Sequence, residues 1–151
     1  MTNRLQTQTV LVLRAETAAE LMTPNPVSVR DTATVAEAVA LLTDKGFSGA
    51  PVIDEAGRPI GVLSRADIIT HDREGARLGI SDTRPGTRAP TRVRDLMTPA
   101  VFSVTPQTPA SKVIAEMLAL HVHRLFVVDN SGVLVGVITA LDVLRHLEPD
   151  L

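Results

Sequence analysis

Two stretches of the chain carry the same hydroxyl-x-x-Asp pattern directly after an apolar run. The first, GVLSRADII, holds Ser64 and Asp67, and the second, GVITALDVL, holds Thr139 and Asp142, 75 positions later. A hydroxyl residue before a helix with an acid three places on is a capping box, and such a cap stabilises a helix by about 1 kcal/mol. The same atoms also suit a nucleotide, because the hydroxyl can donate to a phosphate oxygen and the carboxylate can accept from ribose hydroxyls. From the residues alone, both interpretations stay open.

The two phrases belong to a longer internal repeat. A shift of 75 positions aligns ELMTPNPVSV with DLMTPAVFSV, and GAPVIDEAGRPIGVLSRADII with RLFVVDNSGVLVGVITALDVL, without a gap. An ungapped match over about 50 residues indicates two copies of one supersecondary unit. We therefore divide the chain into an arm (1–18), a first motif (19–70), a linker (71–93), a second motif (94–147) and a tail (148–151).

Each block predicts the element order β-α-β-β-α, which places the chain in the α/β class. Apolar residues recur at helical spacing in TVAEAVALLTDKG and in PASKVIAEMLALH. Short apolar runs predict strands, and EAG and NSG supply hairpin turns between them. A unit of about 50 residues is marginally stable alone, so we expect the two repeats to pack together with pseudo-twofold symmetry.

Composition narrows the classes of function. The chain has 151 residues, 44% of them hydrophobic, and only three are aromatic, so its core must be aliphatic. A net charge of −2 and few aromatic rings argue against nucleic-acid binding and against an anionic membrane surface. The absence of cysteine excludes disulfides and thiolate zinc sites and fits a cytoplasmic protein. No segment approaches the roughly 20 apolar residues of a membrane span.

No constellation of residues predicts catalysis or metal binding. His121 and His123 form an i, i+2 pair without a third ligand beside them in the sequence. The chain has neither a G-x-S-x-G elbow nor a glycine-rich phosphate loop. We therefore expect no catalytic residue, no metal site and no enzymatic activity.

The paired LMTP openings and the segments GFSGAPVIDEAGRPIGVLSRADI and HVHRLFVVDNSGVLVGVITALDV resemble the CBS domain family. Two copies in tandem are similar to a CBS pair, or Bateman module, here without an attached catalytic domain. The resemblance implies a sensor that binds AMP, ADP, ATP or S-adenosylmethionine in the cleft between the motifs and regulates an unknown partner protein, with no resident cofactor. It also implies a homodimer. Some family members bind no nucleotide, so a ligand-free structural or protein-interaction module is the alternative.

The resemblance also assigns roles to residues of the two phrases. Asp67 and Asp142 would accept from ribose, and Ser64 and Thr139 would donate to phosphate. Residues that would surround the adenine are Val27, Ser28, Phe47, Ser48, Ala50, Pro51, Phe102, Ser103, Val122 and Leu125. Most of these are also expected to belong to the core.

Basic residues are the remaining candidates. By the resemblance, His123 and Arg124 would face phosphates, whereas the matching Ser48 and Gly49 of the first block carry no charge. Arg65 is either a further phosphate contact or a surface residue. The family often has proline where Phe126 stands, and a ring there is expected to narrow the second cleft. The linker arginines form either a basic flap or a solvated surface; they are Arg73, Arg77, Arg84, Arg88 and Arg92.

Overall fold

The computed structural model describes the backbone of residues 10–77 and 90–150 and the side chains of 10–72 and 90–150. Its elements in chain order are β1 (Leu11–Leu13), α1 (Ala18–Leu21), β2 (Thr23–Pro24), β3 (Val29–Arg30), α2 (Val35–Lys45), β4 (Gly49–Ile53), β5 (Pro59–Ser64), α3 (Arg65–Arg77), α4 (Val93–Leu96), β6 (Ser103–Val104), α5 (Ala110–Leu120), β7 (Arg124–Val128), β8 (Leu134–Thr139), α6 (Ala140–Arg145) and β9 (Leu147–Pro149). The predicted order β-α-β-β-α is confirmed in both blocks, as β3-α2-β4-β5-α3 and β6-α5-β7-β8-α6.

The described residues divide into two compact units that cut across the sequence repeat. Unit one contains residues 10–25, 102–130 and 135–150. Unit two contains residues 26–77, 90–101 and 131–134. The segment that opens the first block therefore lies with the second block, and the segment that opens the second block lies with the first. The contiguous division into arm, motifs, linker and tail stays a prediction.

Unit one is built on a four-stranded sheet with the strand order β2-β8-β7-β6. A separate antiparallel ribbon pairs β1 with β9. The core is aliphatic, as the composition predicts, and its buried residues are Ala18, Leu21, Val104, Ala110, Val113, Met117, Leu125, Val127 and Ile138.

Unit two contains a three-stranded sheet with the order β3-β4-β5, in which β3 and β4 are parallel and β4 and β5 antiparallel. Helix α2 begins at a capping box between Thr34 and Glu37 and ends at Gly46 in the left-handed conformation. The buried core residues of unit two are Val29, Ala38, Leu42, Ala50, Val52, Leu63 and Val93.

The two LMTP segments make equivalent contacts, each in its own unit. In unit one, β2 pairs antiparallel with β8, with Thr23 opposite Val137. In unit two, Thr98 and Val62 exchange two backbone hydrogen bonds of 2.9 Å. Both pairs are related by the 75-residue shift, so the opening segment of each block pairs with the last strand of the other block. This exchange explains why the compact units are not contiguous in sequence.

Close packing at these pairings requires the glycine that opens each phrase. A β-carbon on Gly61 would lie 2.7 Å from the carbonyl oxygen of Thr98 and 2.8 Å from Sδ of Met97. A β-carbon on Gly136 would collide with the side chain of Met22. In each unit, the repeated glycine therefore packs directly against the repeated methionine of LMTP.

The linker is partly helical at both of its described ends. Helix α3 extends to Arg77, and α4 begins at Val93. The guanidinium of Arg92, which is partly exposed, donates to the carbonyl of Thr32 at 3.0 Å. The side chains of Arg73 and Arg77, and the whole of Arg84 and Arg88, lie outside the described residues.

Candidate functional site

The second phrase forms a complete capping box at the start of α6. The amide of Thr139 donates to Oδ2 of Asp142 at 2.8 Å, and the amide of Asp142 donates to Oγ1 of Thr139 at 3.2 Å. The Thr139 hydroxyl also lies 3.0 Å from Oδ2. Asp142 is only 6% exposed, and burial of a carboxylate is costly unless hydrogen bonds compensate for the lost water. The capping interpretation of this phrase is therefore realised in the structure.

Asp142 has further partners that a helix cap does not need. The hydroxyl of Thr23 donates to Oδ1 at 3.1 Å, and Nη1 of Arg145 lies 3.7 Å from the same oxygen. Thr23 comes from the exchanged LMTP segment, which reaches Asp142 through the pairing of β2 with β8. Our sequence reasoning did not select Thr23, although its identity with Thr98 in the repeat was a signal.

The basic pair lies next to the same phrase. The amide of Ala140, the first residue of α6, donates to the carbonyl of His123 at 3.0 Å. His123 is exposed, and Arg124 opens β7 in a partly exposed position. Among the described residues, neither side chain has a hydrogen-bond or ion-pair partner. A guanidinium and an imidazole therefore stand beside the hydroxyl-x-x-Asp phrase of unit one, with no hydrogen-bond or ion-pair partner among the described residues.

The first phrase, in unit two, repeats the cap without these additions. The amide of Ser64 donates to Oδ2 of Asp67 at 2.9 Å, and the amide of Asp67 donates to Oγ of Ser64 at 3.2 Å. The amide of Arg65 donates to the carbonyl of Ser48, in the position that His123 occupies in unit one. Within the described ranges, Oδ1 of Asp67 accepts no hydrogen bond, and Thr98 makes none to it.

The predicted adenine-contacting residues divide into exposed and buried groups. Phe47, Ser48, Phe102 and Ser103 are exposed, whereas Val27, Ser28 and Val122 are half-buried. The remaining three are buried in the core; they are Ala50, Pro51 and Leu125. Their side chains pack inward, in strands β4 and β7.

Phe126 is also buried. It is 2% exposed and pairs in parallel register with Ser103 on the neighbouring strand. Its amide donates to the carbonyl of Phe102 at 2.9 Å. The core cluster of unit one contains the neighbours Leu125 and Val127 and not Phe126, because successive residues of a strand face opposite sides. The effect of the ring on the second cleft stays a prediction.

An apolar groove opens on the helices of unit one. It has a volume of about 500 Å³ and lies between α5, α6 and the entry to β7. Leucines project beside it into solvent: Leu118 is 71% exposed and Leu144 is 60% exposed. The full lining is Ile114, Met117, Leu118, His121, Val122, His123, Ala140, Val143 and Leu144. The apolar stripe of α5 is thus only half covered by its own unit.

Two carboxyls outside the phrases have lowered pKa values. The backbone amide of Thr34, and then its hydroxyl, donate to Glu37 and lower the pKa of that carboxyl. The backbone amide of Arg58, followed by that of Ala56, lowers the pKa of Asp54 in the turn between β4 and β5. Both shifts arise from hydrogen bonds to the charged form.

The described part of the chain offers neither a metal-binding cluster nor a membrane-spanning helix. It holds no group of three or more His, Cys, Asp or Glu residues placed to bind a metal ion. None of its helices combines the length and apolar character needed to cross a bilayer.

The sequence model of the CBS domain matches the chain twice, at residues 18–74 and 93–149. The structure titled "Crystal structure of CBSX2 in complex with AMP" is 33% identical, with a TM-score of 0.69 over 87% of this chain and 95% of that chain. The cytosolic domain of the Mg²⁺ channel MgtE in complex with ATP is 34% identical, with a TM-score of 0.66 over 88% of this chain and 49% of that chain. Among curated proteins, the gamma-3 subunit of 5'-AMP-activated protein kinase from Bos taurus is 34% identical over 119 residues, which are 79% of this chain and 23% of that protein. The chain thus spans about a quarter of that relative's length.

Proposed function

The chain belongs to the CBS domain family, and on that premise we propose that it is a regulatory module that binds an adenosyl nucleotide and signals its occupancy to a partner protein. The candidate ligands are AMP, ADP, ATP and S-adenosylmethionine. Similar CBS proteins crystallised with AMP and with ATP support this choice. The role is one of binding and regulation rather than catalysis, and we place it in the cytoplasm, where these nucleotides are abundant.

The observation that carries the proposal is the chemistry gathered around Asp142. A carboxylate accepts hydrogen bonds from sugar hydroxyls, and Oδ1 of Asp142 lies at 3.1 Å from a second hydroxyl group, that of Thr23. His123 and Arg124 stand beside the same helix start, and an arginine fork can bind a phosphate through two hydrogen bonds. We assign Asp142 to ribose and Arg124 and His123 to phosphate. The hydroxyl of Thr139 donates to Oδ2 of Asp142 in the structure, so it would have to turn away from that oxygen to donate to a phosphate.

The first phrase is proposed as a second, weaker site. Asp67 offers a carboxylate oxygen that accepts no hydrogen bond from the described residues, and Arg65 is exposed beside it. Ser48 and Gly49 bring no positive charge to the strand entry. Exposed Phe47 and half-buried Val27 and Ser28 would flank the base there. A ligand with little phosphate charge suits this copy better than ATP does.

We further propose that two copies of the chain associate through the apolar groove of α5 and α6. Leu118, Leu141 and Leu144 are all more than half exposed, and burial of such side chains yields about 25 cal/mol per Å² of apolar surface. A second copy presents the same residues, so the contact is self-complementary about a twofold axis.

The alternative function is a structural or protein-interaction module that binds no nucleotide. Its support is that both phrases form capping boxes whose hydrogen bonds are complete without a ligand. Under this alternative, Asp67 and Asp142 contribute to stability alone.

Thermal unfolding of the chain with AMP, ADP, ATP, S-adenosylmethionine, NAD and GTP tests the proposal. A ligand at about 100 times its Kd stabilises the native state by about 2.7 kcal/mol. We expect an adenosyl ligand to raise the Tm of the wild type, and Asp142→Asn to lose that rise. Asn keeps an oxygen for the cap, and Asp67→Asn is the matched control in the other copy. A wild type that no adenosyl ligand stabilises, with both variants melting earlier, would establish the alternative.

A further inference from the structure

The ribbon of β1 and β9 joins residues 11–13 to the end of the last helix. The two strands pair antiparallel over three residue pairs. At one end of the ribbon, the amide of Arg14 donates to the carbonyl of His146 at 2.7 Å. At the other end, the amide of Asp150 donates to the carbonyl of Val10 at 2.8 Å. An isolated ribbon of two strands is marginally stable in water, so this one depends on the elements to which it is attached.

Side chains add little to the stability of the ribbon. Nε of Arg14 lies 3.5 Å from Oε2 of Glu148, and its Nη2 lies 3.8 Å from Oδ1 of Asp150. All three side chains are at least half exposed, and ion pairs in such positions contribute little. Leu13 packs against the core of unit one, whereas Leu11 is exposed. The ribbon is therefore a place where we expect local opening without unfolding of the whole unit.

Helix α6 also depends on its two ends. It has only six residues, whereas an isolated helix needs roughly 12–15 residues to be stable in water. The capping box of Thr139 and Asp142 holds its start. At its end, Nδ1 of His146 donates to the carbonyl of Asp142 at 2.8 Å, and β9 begins at the next residue, Leu147. His146 thus gives its side chain to α6 and its backbone carbonyl to the ribbon.

The first block ends in a different way. Helix α3 continues to Arg77, so His71, the repeat equivalent of His146, lies inside a helix. Pro149 accounts for the difference, because proline disfavours helical backbone at the residue before it, and the first block has Glu74 at the equivalent position. Within the described residues, a capping box followed directly by a strand pair therefore occurs in unit one and not in unit two.

We infer that the β1–β9 ribbon reports the occupancy of the Asp142 site: it is closed when a nucleotide is bound and opens more often when the site is empty. This inference rests on the proposed function and names the element that transmits it. A ligand that binds the capping carboxylate stabilises α6, and through His146 it stabilises the ribbon. Coupling of this kind is reciprocal, so a partner protein that binds the opened ribbon weakens nucleotide binding.

Amide hydrogen exchange of the full chain, measured with and without saturating AMP and ATP, tests the inference. For whichever nucleotide binds, we expect exchange at the amides of Arg14 and Asp150 to slow by about threefold or more, because both are freed when the ribbon opens. His146→Phe keeps a ring but removes the donor to α6, and it should reduce that slowing to less than about 1.5-fold. His71→Phe, in the first block, is the matched control and should leave the slowing unchanged.

Arg14→Pro tests the same coupling in reverse. Proline has no amide hydrogen, so this variant loses the hydrogen bond to the carbonyl of His146 and favours the open ribbon. Because the coupling is reciprocal, the Kd of the nucleotide should rise by the factor by which the nucleotide slows exchange in the wild type, about threefold or more. Titration calorimetry gives the Kd. Arg14→Gln removes the ion pairs but keeps the amide, and it should leave the Kd within about twofold of the wild type.

The outcomes separate this inference from the proposed function. If a nucleotide binds but leaves exchange at Arg14 and Asp150 unchanged, or if Arg14→Pro leaves the Kd unchanged, the proposed function stands and the role of the ribbon is refuted. If the wild type binds neither AMP nor ATP, the inference fails together with that form of the proposed function. The melting temperature of each variant without ligand identifies any loss of folding, and His146→Phe, which keeps every backbone group of the ribbon, then decides.

Discussion

Thr23 donates its hydroxyl hydrogen to Oδ1 of Asp142 at 3.1 Å, although 119 positions separate the two residues in the chain. The contact joins the opening segment of the first repeat to the phrase that closes the second. It exists because β2 pairs with β8 and so carries Thr23 to the start of α6. The equivalent residues of the other copy, Thr98 and Asp67, are not hydrogen-bonded to each other. Two phrases with the same hydroxyl-x-x-Asp pattern therefore differ in the hydrogen bonds that their aspartates accept.

Arg124 is predicted to recognise phosphate rather than nucleoside. Arg124→Ala should weaken ATP binding by about tenfold or more, because a charge-assisted hydrogen bond contributes about 1.5–3 kcal/mol. Adenosine binding should change by less than twofold. Titration calorimetry of both ligands measures the difference, and Arg65→Ala is the control in the other copy. Equal losses for ATP and adenosine would show that Arg124 acts on the fold of the site instead.

Leu118 is predicted to lie in the contact between two copies. Leu118→Lys should shift the chain from dimer to monomer, because it places a charge on an apolar groove that a second copy would bury. The free energy of unfolding of the monomer should change by less than about 0.5 kcal/mol, since the side chain is 71% exposed. Analytical ultracentrifugation measures the shift. Thr43→Lys, at the equivalent position of the first block, should leave the oligomeric state as it is; a dimer that survives Leu118→Lys contradicts the prediction.

Gly61 and Gly136 are predicted to differ in their tolerance of a β-carbon. Gly61→Ala should lower the free energy of unfolding by about 1–3 kcal/mol, because the added atom meets the backbone carbonyl of Thr98, which cannot rotate away. Gly136→Ala should cost less, because its obstacle is the flexible side chain of Met22. Urea denaturation gives both values. If Gly136→Ala costs more stability than Gly61→Ala, the backbone of the LMTP segment in unit two gives way to the added atom more readily than the side chain of Met22 does.

Glu37 is predicted to make the stability of the chain depend on pH in the acid range. Hydrogen bonds from the amide and hydroxyl of Thr34 lower the pKa of its carboxyl in the folded state. The carboxylate therefore stabilises the fold above the ordinary glutamate pKa of about 4.3, and that stabilisation is lost as the pH falls through the lowered folded value. Glu37→Gln should lower the Tm at pH 7, and the difference from the wild type should shrink below about pH 4. If the difference in Tm between the wild type and Glu37→Gln is the same at every pH in that range, ionisation of the carboxyl does not cause the stabilisation.

Much of the local structure was predictable because it depends on short-range chemistry. The capping boxes at Ser64 and Thr139 follow from a hydroxyl and an acid three residues apart. The hairpin turns follow from Gly57 and Gly132, both of which have positive φ angles. The order β-α-β-β-α could be predicted in each block from the spacing of its apolar residues. The expected adenine-contacting residues were harder to predict. An apolar residue such as Leu125 is equally compatible with a ligand-binding position and with a position in the hydrophobic core.

The sequence by itself determined the repeat, the elements of each copy and the family, since these follow from residue order and local spacing. Only the tertiary structure decided which copy of the phrase acquires a second hydroxyl. Thr23 and Thr98 are the same residue in the same LMTP context, and Asp67 and Asp142 close the same capping box. The exchange of opening segments brings Thr23 to Asp142 through long-range strand pairing. The hydrogen bond forms in unit one, where β2 and β8 pair at two positions, and not in unit two, where Thr98 and Val62 form an isolated bridge. A hydrogen bond depends on tenths of an ångström between residues far apart in the chain, and no pattern of residue types records that distance.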